Sequence, residues 1–364
     1  MGITEHTGSA KGSDNHSSGS SPVKPPVLKL GDTIGIVSPS WFGGAPYVPR
    51  AMQGIRYLES LGFKVHVAPH AFNNRGHVSD TAQNRATDIN QLFADETVSA
   101  LLCTIGGSHS AELLPHLDYE TIEQNPKVFM GYSDITTLNV ALYAATGLCT
   151  VNGPYLLSDW AEFPTMPEIS RDWTMQLLTS TQAPGDIPYS TQWTKEFLDW
   201  TTGEDRARTR KYQPNTEWKV LRHGTGSGRL IGGCIESLQP LRGTRFWPDM
   251  SGCILFIETA GDLKSPEATD ELLMGFENMG TFDVIRGLLV AKPYDFTPGD
   301  EQRFEEFLLE RTHKWNFPVV SNMGFSHYTP MIGMPIGVTA SISTSPLRIA
   351  IEEPVVSPRA EYHI

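Results

Sequence analysis

"KVFMGYSDITTLNVALYAATG", residues 127–147, joins a short apolar run, a Gly-x-Ser-Asp turn and a stretch with apolar residues at helical spacing. It reads as a strand leading through a bend into a helix. The same unit recurs upstream. "DTIGIVSPS" (32–40) reads as a strand followed by the helix "YVPRAMQGIRYLESLGF" (47–63), "KVHVAP" (64–69) as a second strand followed by "TAQNRATDINQLFAD" (81–95), and "VSALLCTIGG" (98–107) as a third. Strands alternating with helices predict an α/β domain over residues 30–163, a parallel sheet with helices on both faces. In such sheets, sites gather beyond the C-terminal ends of the strands.

From about Pro164 to Arg222 the rhythm fails, and "PYSTQWTKEFLDWTTGEDRARTRKYQPNTEW" (188–218) has no sustained apolar face. Residues 164–222 are therefore expected to form a long excursion between two domains, ordered by Trp193, Trp200 and Trp218. The short runs that follow, "GSGRLIGGC", "GCILFIETAG", "FDVIRGLLVA", "FPVVSNMGFSH" and "PIGVTASIS", are strand-like, with a helix "SPEATDELLMGFENMG" (265–280) among them. They predict a smaller β-rich domain over 223–354, followed by a tail, 355–364. Residues 1–29, rich in Ser, Gly and Pro with no apolar signal core, are expected to be a disordered leader.

The chain has 364 residues, long enough for two domains and a large core. Its 28 Lys+Arg against 41 Asp+Glu give a net charge of −13, a field that repels nucleic acid. The apolar runs are far shorter than the roughly 20 residues that span a bilayer, so no membrane helix is expected. The cysteines at 103, 149, 234 and 253 lack metal-ligand spacing and read as core residues in a reducing compartment, with the cytoplasm as the default location.

A nucleophilic serine needs a base to take its proton and a third group to orient that base. Ser133 lies at the bend after a strand, where a helix N-terminus offers N–H groups to an oxyanion. Gly131 precedes it, but the second glycine of a G-x-S-x-G elbow is absent, since Ile135 stands there. Ser and Asp also cap helices, so the pattern alone leaves cap and nucleophile open. Gly106-Gly107 closes the preceding strand and is either a plain turn or a second wall of an oxyanion hole. His327, on a Gly- and Pro-rich loop, is a candidate base, and Glu258, at the end of an apolar strand, is a candidate orienting acid or a surface residue.

In chain order, "GDTIGIVSPS", "TIGGSHSAELLPHLDY", "NPKVFMGYSDITTLNVALYAATGL", "GRLIGGCIESL", "ILFIETA" and "GFSHYTPMIGMPIG" resemble the LD-carboxypeptidase family of serine peptidases, and more closely its microcin C self-immunity branch. The resemblance runs from about Leu30 to about Pro354. It implies Ser133 as nucleophile, His327 as general base and acid, Glu258 as the residue that orients His327, and backbone N–H groups of Gly106, Gly107 and Asp134 as the oxyanion hole. It implies a Rossmann-like N-terminal α/β domain carrying Ser133, a β-rich, swivelling-type second domain, an active site between the domains, acyl transfer without metal or cofactor, and the homodimer common among family members. The sequence departs from the commoner pattern at Cys234, where relatives often carry Asn after the glycine pair.

Two substrate classes follow from the resemblance. Murein-type members release a terminal D-amino acid from a tetrapeptide, whereas microcin-type members cleave an amide between an acidic residue and a modified adenylate. "TQWTKEFLDW" (191–200) resembles the loop whose tryptophan stacks on the base, with Trp200 near that position. Trp193 and Trp200 then either bind substrate or pack the interdomain surface. "RARTRK" (206–211) either neutralises a phosphate or is a solvated loop. A protein that binds such a ligand without cleaving it is the reading from another class.

Overall fold

The computed structural model describes residues 21–44, 47–261 and 265–359. The alternation in the first half folds into strands β1 (Thr33–Val37), β2 (Lys64–Val67), β3 (Val98–Cys103), β4 (Val128–Met130) and β5 (Thr150–Asn152), parallel and ordered β5-β4-β3-β1-β2. Helices α1 (Val48–Ser60), α2 (Ala82–Ala94), α3 (Tyr119–Gln124) and α4 (Thr136–Thr146) connect and cover them. Every residue of β4 and β5 is buried, which alternating polarity could not give and which a sheet covered on both faces requires. Thr81 starts α2 by accepting the Asn84 N–H.

The second half holds β6 (Gly185–Asp186), the ribbon β7 (Gln192–Trp193) and β8 (Gln213–Pro214), then β9 (Lys219–Arg222), β10 (Thr225–Cys234), β11 (Ile254–Glu258), β12 (Gly287–Ala291), β13 (Val319–Met323), β14 (Met334–Ile336), β15 (Thr339–Thr344) and β16 (Leu347–Ile351). Eight of them make a sheet ordered β6-β16-β15-β10-β11-β12-β13-β9, parallel from β10 to β13 and antiparallel at its flanks. β14 leaves this sheet and pairs antiparallel with β5, so the later part of the chain completes the first sheet as its sixth strand.

Three expectations change. The excursion contains a helix, α5 (Glu168–Thr179), which buries Ser170, Trp173, Thr174, Leu177 and Leu178 at helical spacing. The second half carries α6 (Pro266–Asn278), capped by Ser265, and also α7 (Thr281–Val284) and α8 (Pro298–Arg311). The first twenty residues of the expected leader and residues 360–364 of the tail lie outside the described residues. What is described of both is packed: Val27, Leu28, Val355 and Val356 are buried, and the Val27 and Ser357 N–H groups donate to Ser357 and Pro25 carbonyls, each at 2.8 Å.

The two sheets meet where β10 ends on the first turn of α4. The Cys234 N–H donates to Thr136 Oγ1 at 2.9 Å, and Thr137 Oγ1 donates to the Ser237 carbonyl at 2.6 Å. Such closeness needs two residues without side chains. Gly232, at φ 153°, would place a Cβ 1.8 Å from the Phe256 carbonyl oxygen, and Gly233, at φ 137°, one 2.4 Å from Thr136 Oγ1. The strain and overlap predict that Gly232→Ala destabilises the protein by about 3 kcal/mol or more, read as a lowered midpoint of chemical denaturation. An unchanged midpoint would mean that β10 has room to move.

Candidate active site

β4 ends at Met130, Tyr132 is extended, and Ser133 turns the chain into α4 with φ 53°. A left-handed conformation at a serine costs on the order of 1–3 kcal/mol and persists only where its surroundings hold it. They hold it through Asp134, whose Oδ2 accepts the N–H groups of His109 at 2.9 Å and Ser110 at 2.8 Å, while Ser110 Oγ donates to the Asp134 carbonyl at 2.8 Å. Neither Ser133 nor Asp134 caps the helix with its side chain. The serine hydroxyl is directed elsewhere.

It meets His327. Ser133 Oγ lies 2.9 Å from His327 Nε2, and His327 Nδ1 lies 2.7 Å from Glu258 Oε2. Glu258 ends β11 and is 1% exposed, and His327 comes from the loop between β13 and β14. A carboxylate only accepts, so Nδ1–H donates to Glu258 and Nε2 is left to accept the serine proton. Burial pushes the His327 pKa down, but the charge of Glu258 and its hydrogen bond outweigh this, and the net shift is upward. The rings of Tyr132 and Tyr294 stand edge-on to the imidazole, with centroids 5.1 and 5.7 Å away.

The loop at Gly106-Gly107 approaches from β3. A Cβ on Gly106 would lie 2.7 Å from the Tyr155 hydroxyl and 3.2 Å from Ser133 Oγ, and one on Gly107 2.3 Å from Ser40 Oγ, so both overlaps favour glycine at these positions. Gly107, Ser133 and Asp134 share the wall of a cavity of about 130 Å3. Backbone N–H groups near the serine suit an oxyanion. Among the described residues, no group of three His, Cys, Asp or Glu side chains is arranged to hold a metal ion.

A second cavity, about 190 Å3, opens on the His327 side and is lined by Tyr132, Trp200, Tyr294, Arg50, Arg210 and Glu162, among others. Trp200 lies under the Arg50 guanidinium, 4.6 Å from the ring centroid, and against the edge of Tyr47, at 5.4 Å. Trp193 is not on this wall. Its ring packs at 4.5 Å from Tyr328 and lies 4.9 Å from Lys292 Nζ, in a separate small cavity with Trp218. Of "RARTRK", Arg210 alone reaches the larger cavity, where it pairs with Glu162 and donates to Thr329 Oγ1 at 2.7 Å. Arg208 is not on its wall, but pairs with Glu196, which is, and with Glu204. Reading the sequence alone missed Arg50, Tyr132, Glu162 and Tyr294, because none belongs to a motif and only the fold groups them.

A hydroxyl that can hand its proton to an oriented imidazole, beside an oxyanion pocket, can carry out acyl transfer, the work of a serine hydrolase. Comparison with known proteins narrows that class. The LD-carboxypeptidase N-terminal domain matches residues 34–153 and the LD-carboxypeptidase C-terminal domain residues 227–342. The microcin C7 self-immunity protein MccF of Escherichia coli is 32% identical over 345 residues, covering 93% of this chain and 98% of that protein. The probable murein peptide carboxypeptidase of Bacillus subtilis is 29% identical, covering 90% and 94%. A structure of MccF in complex with aspartyl sulfamoyl adenosine superposes with a TM-score of 0.85 at 31% identity, over 92% of this chain and all of that one. The chain belongs to the LD-carboxypeptidase family and is a serine-type carboxypeptidase.

Proposed function

We propose that Ser133, His327 and Glu258 are the catalytic triad of this carboxypeptidase and that it hydrolyses an amide in a small peptide or aminoacyl-nucleotide conjugate. The observation that carries the reading is His327 within hydrogen-bond reach of both Ser133, at 2.9 Å, and Glu258, at 2.7 Å. His327 takes the Ser133 proton as Oγ attacks the carbonyl. N–H groups of Gly106, Gly107 and Asp134 stabilise the tetrahedral oxyanion, His327 protonates the departing amine, and water then releases the acyl group by the same path in reverse. The division of labour is between a domain at 30–163, which supplies the serine, and one at 223–354, which supplies Glu258 and His327, with 164–222 bringing Trp200.

The leaving amine must sit where His327 can protonate it, so the cavity holding both His327 and Trp200 is the leaving-group side. An aromatic ring there supports a nucleoside as leaving group, by stacking worth about 1–3 kcal/mol. Trp200→Ala is therefore expected to weaken binding of an aminoacyl sulfamoyl adenosine by roughly 5- to 150-fold, with little effect on a murein peptide. Calorimetric titration of both ligands checks this. Trp193 is assigned to packing. The acidic balance supports a small-molecule partner, the four buried free thiols support a cytoplasmic location, and family membership supports a homodimer.

The test is hydrolysis of aminoacyl sulfamoyl adenosine and of a murein tetrapeptide by the protein and by Ser133→Ala. Cleavage of the nucleotide conjugate that needs Ser133 is the expected result. Release of D-Ala from the tetrapeptide alone assigns the murein reaction instead. Binding without turnover, and without labelling by a serine-directed phosphonate, reduces the protein to a ligand binder.

A further inference from the structure

Arg50 stands in the first turn of α1, yet its guanidinium is buried against residues from two later parts of the chain. Nε donates to the Leu157 carbonyl at 2.6 Å, Nη1 donates to Asp205 Oδ2 at 2.7 Å, and Nη2 lies 3.9 Å from Glu162. The side chains of Arg50 and Asp205 are 3% and 2% exposed. Asp205 belongs to the single turn Glu204–Arg206, shortly after Trp200, and the guanidinium carbon lies over the Trp200 ring, 4.6 Å from its centroid. The backbone pair of Thr194 with Thr329 and the pair of Arg210 with Glu162 hold the two ends of this segment. Between them, the buried charged contact is that of Arg50 with Asp205. Other bonds there lie at the surface: Asp199 accepts the Thr201 N–H and hydroxyl, and Arg208 pairs with Glu196 and Glu204. Such exposed contacts hold a loop weakly. Among the described residues the other ring contacts of Trp200 are Tyr47 and Phe197, each at 5.4 Å, and Phe197 is itself 69% exposed.

We infer that Arg50 is a positioning residue: it fixes the Trp200 indole on the wall of the larger cavity, so that the base of a nucleoside leaving group stacks on the ring face opposite the guanidinium. The role of the base rests on the function proposed above, whereas the placement of the ring does not depend on it. Leu157 and Asp205 hold the planar fork in one orientation, and the ring stacked on that plane takes its position from it. A buried ion pair gives little stability that well-packed apolar side chains of similar volume could not give, so its contribution here is one defined geometry. With one face of the indole covered, a ligand has one face left, and stacking there extends the Arg–Trp pair without displacing it. Without Arg50 the ring would have to be ordered by the ligand, and that ordering would weaken binding.

Two variants test this in the Ser133→Ala background, where binding is free of turnover: Arg50→Met and Arg50→Met/Asp205→Leu. The second removes both charges, so a loss is not the cost of leaving Asp205 buried alone, and it carries the test if Arg50→Met fails to fold. The emission of Trp200, taken as the difference between each protein and its Trp200→Phe counterpart, is expected to shift to longer wavelength and to be quenched more readily by acrylamide. Binding of aminoacyl sulfamoyl adenosine, by calorimetric titration, should weaken about fivefold or more when Trp200 is present. When Trp200 is already alanine, the same substitutions should weaken it by less than about twofold, because Arg50 acts through the ring. Three results overturn the inference: unchanged Trp200 emission; a loss of binding caused by Trp200→Ala that the Arg50 variants do not share; or an equal loss from the Arg50 variants with and without Trp200, which would make Arg50 a direct ligand contact. Emission that shifts while neither Trp200→Ala nor the Arg50 variants alter binding supports the placement of the ring and overturns the nucleoside reading of the leaving group.

Discussion

Replacing Ser133 with alanine is expected to lower kcat by about 10,000-fold or more while leaving the fold in place. The size follows from the role proposed for Ser133 Oγ, the atom that would bond covalently to the substrate. Residual hydrolysis would come from binding and the oxyanion pocket alone. Stability should move by no more than about 1 kcal/mol, because the change removes one hydrogen bond, to His327 Nε2, and keeps the Cβ. The helix does not need the hydroxyl either: neither the turn at 133–135 nor α4 is capped by the Ser133 side chain. Activity measured beside thermal unfolding separates the outcomes. A variant that is fully folded and retains a tenth of the rate would leave Ser133 as strain without a catalytic purpose.

The strand-to-helix units of the first half were legible because each carries its own period. β4 is an uninterrupted apolar run, β3 is one broken only by Ser99, and α2 has a Thr cap three residues before the N–H it accepts. Elements whose stability comes from elsewhere were not. The buried stripe of α5 includes Ser170 and Thr174, so its polarity hid a correct helical spacing, and α8 buries only Phe304, Phe307 and Leu308 on an otherwise charged helix. β14 is three residues long, and nothing local says that it pairs with β5 in the other sheet. The site divides in the same way. Ser133 was visible as a bend, but the pattern could not separate a cap from a nucleophile. That distinction depends on His327, 194 residues away, and on where the Asp134 carboxylate is used. Arg50, Glu162 and Asp205 are single charged residues in sequence, and their significance arises only from burial and from the partners they have.

Glu258→Gln is expected to cost about 1,000- to 10,000-fold in kcat at neutral pH and to move the acid limb of the pH profile downward. The rate loss follows from the amide: its NH2 can face Nδ1, which favours the tautomer with Nε2 protonated and unable to accept from Ser133. The pH shift follows from His327. Burial alone lowers its pKa, and Glu258, by charge and hydrogen bond, raises it beyond that. Only the neutral imidazole accepts the serine proton, so kcat/KM in the unmutated protein should fall as pH drops through a pKa above the ordinary 6.5. Without the Glu258 charge burial dominates, although Glu236 and Asp159 still oppose it, and the limb should lie at lower pH. The linked stability has the opposite sense: a raised folded-state pKa stabilises the protein fully below the unfolded value and loses that contribution as pH rises through the folded one. The Gln variant should therefore lose more stability at pH 5 than at pH 9. Both readouts come from one variant, by pH–rate profiles and by denaturation at the two pH values. An acid limb that stays where it is would remove Glu258 as the source of the shift, even if the rate falls.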